Sequence, residues 1–173
     1  MRTIRPATAE DAAACAALYA PYVDGTATTF EVEAPDADEF ASRIAAAHEW
    51  VVLVDDLTGE DVVRGYAYAG PYAARAAYSW SAEVSVYLEV GLRRSGAGRA
   101  LYTDLFDRLQ RRGFRMLVAG VTLPNEASLG LHRSMGFTDV GTFTQIGFKL
   151  DRWWDVHRLQ KPLGPRGAPG PLR

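Results

Sequence analysis

At 173 residues, with 48% hydrophobic and 23% charged side chains, the chain is sized for one globular domain, which excludes a disordered protein or a fibre. A formal net charge of −2 and an isoelectric point near 5.9 supply no basic field for a phosphate backbone, so nucleic acid is not an expected partner. No run approaches the ~18 apolar residues of a membrane span, and residues 1–6 lack a signal peptide's apolar core, so a cytoplasmic protein without a membrane partner is expected.

In chain order, residues 2–6 alternate as a short strand. Thr8 stands as an N-cap before Glu10 and Asp11, and a helix is predicted from there to about Tyr22. That helix carries the single cysteine, Cys15, which has no internal disulfide partner and reads as a small buried hydrophobe in a reducing compartment. Residues 25–33 are β-rich but irregular, with Thr26, Thr28, Thr29 and Phe30. Pro35-Asp36 starts a second helix, to about His48. Strands at 50–55 and 62–69 form a hairpin around a turn at 57–61. An aromatic-rich loop, 70–81, carries Arg75 and leads into a strong strand at 83–90. A long helix from Gly98 to Arg112 stops at Gly113. A strand at 115–121, a short helix from Asn125 to Met135, and strands at 140–149 and 156–160 follow. Residues 162–173 are rich in Pro, Gly and Arg and read as a disordered tail, leaving 1–161 as one domain. The order β-α-α-β-β-β-α-β-α-β-β predicts an α/β fold with a mixed sheet covered on both sides.

The chemistry concentrates where the strand starting at Glu83 runs into Arg93-Arg94-Ser95-Gly96-Ala97-Gly98-Arg99 and a helix begins. Glycine lets a ligand approach the backbone, and the N–H groups opening a helix form an anion nest that suits a diphosphate. Arg94 and Arg99 can add charge on the same anion. The segment is not a Walker loop, because Lys-Ser/Thr is missing, nor the dinucleotide fingerprint, because Leu101 stands where the third glycine belongs. Alone, it also reads as a strand–helix turn with solvated arginines.

Arg93-Arg94-Ser95-Gly96-Ala97-Gly98 resembles the Q/R-x-x-G-x-G/A motif of the GNAT superfamily of N-acetyltransferases. Asn125-Glu126-Ala127-Ser128, followed by Gly136-Phe137, is similar to that superfamily's N-x-x-S and GF segment. The likeness spans about residues 2–161. Within it, Arg75-Ala76-Ala77-Tyr78-Ser79-Trp80-Ser81-Ala82-Glu83, Leu131-His132, Phe148-Lys149, Trp153 and Asp155-Val156 resemble the phosphinothricin and methionine sulfoximine N-acetyltransferases. Two departures bear on the substrate more than on the transfer. Ala76 stands where that subfamily has Asn, and His157-Arg158-Leu159-Gln160-Lys161 replaces an aromatic-rich end.

The resemblance implies a GNAT fold, a mostly antiparallel central sheet flanked by helices, with acetyl-CoA as co-substrate. It implies N-acetylation of the α-amino group of a small molecule such as methionine sulfoximine, methionine sulfone or phosphinothricin, by direct transfer and in a homodimer. Glu83 becomes the general base; from the residues alone it reads as an exposed strand carboxylate. Val86, Tyr87 and Leu88 are to hold the pantetheine, and Arg94, Ser95, Gly96, Ala97, Gly98 and Arg99 the pyrophosphate. Asn125 and Ser128 are further cofactor contacts or a helix cap. His132 is the acid for the departing thiolate or a packed side chain. Arg75 is to clamp a substrate carboxylate, with Tyr78, Trp80 and Phe30 around it; the alternative for each is ordinary surface or core. Trp153 and Trp154 read as core or interface aromatics. No metal is expected, since neither a His-x-x-x-His pair nor paired cysteines occur. Two rival functions stay open: a peptide N-terminal acetyltransferase on the same fold, and a non-catalytic acyl-CoA-binding module.

Overall fold

The computed structural model describes residues 2–56, 61–92, 95–165 and 167–173. The elements are β1 (Arg2–Pro6), α1 (Ala12–Gly25), α2 (Ala37–Ala46), β2 (Glu49–Asp56), β3 (Asp61–Pro71), β4 (Ser81–Leu88), α3 (Ala97–Arg112), β5 (Met116–Thr122), α4 (Glu126–Ser134), β6 (Thr138–Lys149) and β7 (Arg152–Pro162). Their order is the one the sequence predicts. Most of the expected 57–61 turn lies outside the described residues. β7 starts earlier than expected because Leu150 and Asp151, both at positive φ, turn the chain tightly back from β6.

Seven strands form one sheet in the order β1-β2-β3-β4-β5-β7-β6. Every neighbouring pair is antiparallel except β4 and β5. Strand alternation gives the sheet two apolar faces. On β2, Val51 and Leu53 enter one core while Trp50 and Val52 enter the other. The first core packs under α3 and α4, with Leu101, Leu105, Leu109, Leu117, Leu129 and Phe137. The second packs under α1 and α2, with Tyr19, Val23, Phe40, Tyr66 and Tyr87.

α3 follows its sequence closely. Gly96 (φ +82°) precedes it and Gly113 (φ +99°) ends it, with the Gly113 N–H returned to Gln110 O and Leu109 O. Leu101, Leu105 and Leu109, each four residues from the next, are fully buried, and each contributes about 1.5–3 kcal/mol on burial. Cys15 is also fully buried, and burial pushes its thiol up to about 12, so it is inert near neutral pH.

The end of the chain differs from the disordered tail expected after residue 161. Leu163 is buried and its N–H donates to Arg115 O. Leu172 packs on the first core, Arg173 N donates to Arg112 O, and Trp80 Nε1 donates to Gly170 O. Composition reads these residues as coil; two leucines and three backbone anchors nevertheless lay them against the α3–β5 end.

Candidate active site

β4 and β5 pair only at Ser81–Met116, Ala82–Leu117 and Glu83–Val118, then separate. β4 keeps its antiparallel partner β3 through Leu88. Glu89 N donates to Arg64 O, which makes 83, 85 and 87 the residues that exchange hydrogen bonds with β3. Val86 and Leu88 therefore turn their amides toward the gap that β5 leaves, while Val84 still faces β5 at the last pair. In that gap the Leu88 carbonyl accepts a hydrogen bond from Tyr22 Oη at 2.6 Å. Val86 leaves its N–H on this edge without a partner on β5. Tyr87 pairs its backbone with Tyr66 on the β3 side, and its buried ring packs against Tyr19, Tyr22 and Tyr66.

At the far end of the gap stands the N-terminus of α3. Gly98 lies against Leu131 and Leu88, and a Cβ there would meet Leu131 Cδ2 at 3.1 Å, so glycine lets the first turn close onto Leu131 of α4. Ser95 Oγ donates to Leu92 O and accepts from Ala97 N, shaping the turn, while the Gly98 and Arg99 amides belong to the first turn, whose N–H groups have no partner within the helix. These donors and the free strand edge fit a diphosphate joined to an amide-rich arm. The Arg99 side chain turns toward Ser134 O and Met135 Sδ at the end of α4. Arg94 lies outside the described residues.

Glu83, the last residue of β4 with a partner on β5, sits at the apex of the gap. Its side chain is 40% exposed, and Oε1 accepts a hydrogen bond from Arg158 Nη1 at 2.7 Å. Arg158 on β7 is a residue that the sequence reading overlooks; its one signal is the departure at 157–161. Beside Glu83, on the same sheet face, Gly70 and Tyr68 line a cavity of about 200 Å³, walled also by Tyr19, Phe40, Arg43, Trp50 and Tyr66. Trp50 stacks on Tyr66 and Tyr68. Burial raises all these phenols, Tyr19 to about 12, so none serves as a base near neutral pH. The loop before α2 bonds to two residues of the cavity wall, Tyr19 and Arg43. Its Glu31 accepts from Tyr19 Oη and from both Arg43 Nη atoms, and Thr29 Oγ1 bonds Tyr19 Oη. From the other side, buried Lys149 donates to Thr29 O at 2.9 Å; its burial lowers the ammonium below the usual lysine range. Phe30, half exposed in this loop, lies over Gly147 of β6, where a Cβ would collide with the ring.

The other expected residues are placed differently. His132 is buried, its Nδ1–H donates to Ser128 O at 2.8 Å, and Nε2 therefore accepts from Tyr102 Oη at 3.0 Å. Burial holds it below the ordinary histidine range, so it is a neutral packed residue with neither nitrogen free, the alternative to the acid role. Asn125 caps α4 by accepting from Ser128 N, and Ser128 Oγ lies 3.4 Å from His132 Nδ1. Arg75 precedes a short 3-10 turn (Ala76–Tyr78) in an exposed loop and makes no side-chain hydrogen bond or ion pair to a described residue. Tyr78 is exposed and meets the ring of Tyr72. Among the described residues no side-chain hydrogen bond or ion pair joins Arg75 or Tyr78 to Glu83. Among the described residues, no three His, Cys, Asp or Glu side chains converge as a metal site, and no helix is long and apolar enough to cross a membrane.

A seven-stranded sheet parted between its two parallel central strands, with a glycine-opened helix at the end of the gap, defines an acyl-CoA-dependent N-acetyltransferase. The model of the acetyltransferase (GNAT) domain matches residues 4–157, and the chain belongs to that family. It is 36% identical to a phosphinothricin N-acetyltransferase of Streptomyces viridochromogenes over 98% of this chain and 92% of the relative. It is 34% identical to an L-methionine sulfoximine/L-methionine sulfone acetyltransferase of Salmonella typhimurium, over 96% of this chain and 98% of the relative. The crystal structure of a GNAT superfamily phosphinothricin acetyltransferase from Sinorhizobium meliloti, in complex with acetyl-CoA, superposes with a TM-score of 0.91 at 33% identity, covering 98% of this chain and 93% of that one. Acetyl-CoA is accordingly the co-substrate.

Proposed function

We propose that the enzyme transfers the acetyl group directly to the α-amino group of a small amino-acid analogue of the methionine sulfoximine, methionine sulfone or phosphinothricin kind, with Glu83 as general base. The position of Glu83 at the apex of the β4–β5 gap, beside the aromatic cavity, carries this reading. An α-ammonium is mostly protonated near neutral pH and must lose a proton before it can attack. Glu83 accepts that proton, directly or through one water. Bound acetyl-CoA supplies the activated acyl group. The Val86 edge and the first-turn amides of α3 orient it by strand-like pairing and anion binding.

The cavity favours a small acceptor, since about 200 Å³ suits one side chain better than a peptide. The phosphinothricin and methionine sulfoximine/sulfone activities of the relatives support this substrate class. The homodimer expected from the resemblance is supported by exposed Val140, Phe143, Ile146, Phe148 and Trp153 on β6 and β7, an apolar surface at the sheet edge. A cytoplasmic setting, where acetyl-CoA is made and a free cysteine persists, completes the reading.

The test is Glu83→Gln. It should lower kcat by about 10²–10⁴-fold and leave the Kd for acetyl-CoA within about twofold, because the side chain lies off the strand edge that holds the cofactor. Unchanged turnover overturns Glu83 as the base.

A further inference from the structure

Arg158 faces Gly120 of β5 and Gly141 of β6, yet its guanidinium reaches across β5 to Glu83 on β4. That reach needs an empty place on β5, and Gly120 provides it. A Cβ at Gly120 would stand 2.7 Å from Arg158 Nη1 and 3.4 Å from Val156 Cγ1. Alanine or valine there forces the guanidinium away from Glu83. Gly120 and Arg158 thus form one device, a gap in the sheet surface and the side chain that uses it.

The guanidinium is held without being used up. Among the described residues Glu83 is its one hydrogen-bond acceptor, through a single Nη1–Oε1 contact, and the Arg158 side chain is 21% exposed. A guanidinium carries five N–H donors in a planar fork, so the edge that Glu83 leaves free can take a second carboxylate bidentately. An α-amino acid presents an ammonium and a carboxylate on one carbon. Glu83 and Arg158 present the matching carboxylate and guanidinium side by side at the apex of the gap.

We infer that Arg158 is a specificity-determining residue, which binds the carboxylate of the acceptor while the acceptor's amine meets Glu83. This rests on the proposed function above and deepens it: the acceptor class narrows to amines that carry an anionic group on the adjacent carbon. The assignment also moves the carboxylate clamp from Arg75, which stands in an exposed loop without a hydrogen bond or ion pair to Glu83, to Arg158. With the cavity on the β3 side of Glu83 and Arg158 on the β5 side, the three substituents of an α-carbon each have a place.

The experiment compares one α-amino acid acceptor with its methyl ester, which keeps the amine and side chain but loses the anion. Thiol release is followed at saturating acetyl-CoA for the wild type, Arg158→Leu, Arg158→Lys and Gly120→Val. The wild type should prefer the acid. In Arg158→Leu the KM for the acid should rise about tenfold to a hundredfold, the loss expected for a charge-assisted pair, and the ratio of kcat/KM for acid over ester should fall by the same factor. Arg158→Lys should recover part of the preference. Gly120→Val should lose it with the arginine still in the chain, which guards against a leucine variant that fails to fold. A preference for the acid that survives in both Arg158→Leu and Gly120→Val overturns the clamp and leaves the proposed function standing. Equal losses for acid and ester also overturn it, assigning Arg158 only to holding Glu83. A wild type that acetylates esters and simple amines but no free amino acid overturns the clamp and the proposed acceptor class together.

Discussion

Glu83 and Val118 form the last pair between β4 and β5, and the two strands diverge from that point. The catalytic reading follows from this one relationship. Before it the sheet is continuous, and beyond it β4 offers backbone amides without a strand to receive them. A carboxylate at the fork lies beside whatever fills the gap, and the register with Gly70 sets it next to the aromatic cavity.

His132 should matter for stability more than for chemistry. Both ring nitrogens are engaged, and burial lowers its pKa, as burial and Arg112 lower that of His48. The folded state therefore binds fewer protons than the unfolded chain as pH falls below the ordinary value of about 6.5, and stability is lost in that direction. Melting followed by circular dichroism should show Tm dropping from pH 7 to pH 5, with a shallower drop in His132→Gln. That variant should lose about 1–3 kcal/mol by leaving Tyr102 poorly paired, and keep kcat within about threefold. A hundredfold loss of kcat in a folded variant would restore the acid role.

Tyr22 ties α1 to the open edge of β4 through the Leu88 carbonyl. Tyr22→Phe should cost about 1 kcal/mol in urea unfolding, since the carbonyl loses its donor in a part-buried place. The Kd for acetyl-CoA should change by less than about threefold, because the Val86 amide and the α3 amides remain. An unchanged unfolding midpoint would count against the bond.

Ala47, at the end of α2, lines the cavity beside Glu83. Ala47→Phe should fill it and raise the KM for an amino-acid acceptor about tenfold or more, leaving the Kd for acetyl-CoA within twofold. Isothermal titration and steady-state kinetics separate the two quantities. An unchanged acceptor KM would remove the cavity from the substrate site.

The elements were legible in the sequence because local rules set them. α3 carries its apolar stripe at Leu101, Leu105 and Leu109 and its own stop at Gly113, and β2 alternates between two cores. The start of α3 was legible because glycines and a helix start lie within a few residues of each other. What stayed hidden depends on residues far apart in the chain. The divergence of β4 from β5 is a fact of register, and the Arg158–Glu83 contact joins positions 75 apart through a missing side chain at Gly120. The packing of His132 stayed one of two readings because its helix face reads alike whether it meets solvent or α3. The tail was misread because Pro and Gly dominate its composition while Leu163 and Leu172 hold it down.

The most direct measurement is thiol release by the wild-type protein from acetyl-CoA with a panel of amines. The panel holds methionine sulfoximine, methionine sulfone, phosphinothricin, ordinary amino acids and a short peptide. The account predicts turnover on one or more of the first three well above that on the peptide, and its loss in Glu83→Gln. Turnover on the peptide alone, or tight acetyl-CoA binding with no turnover on any amine, would contradict it.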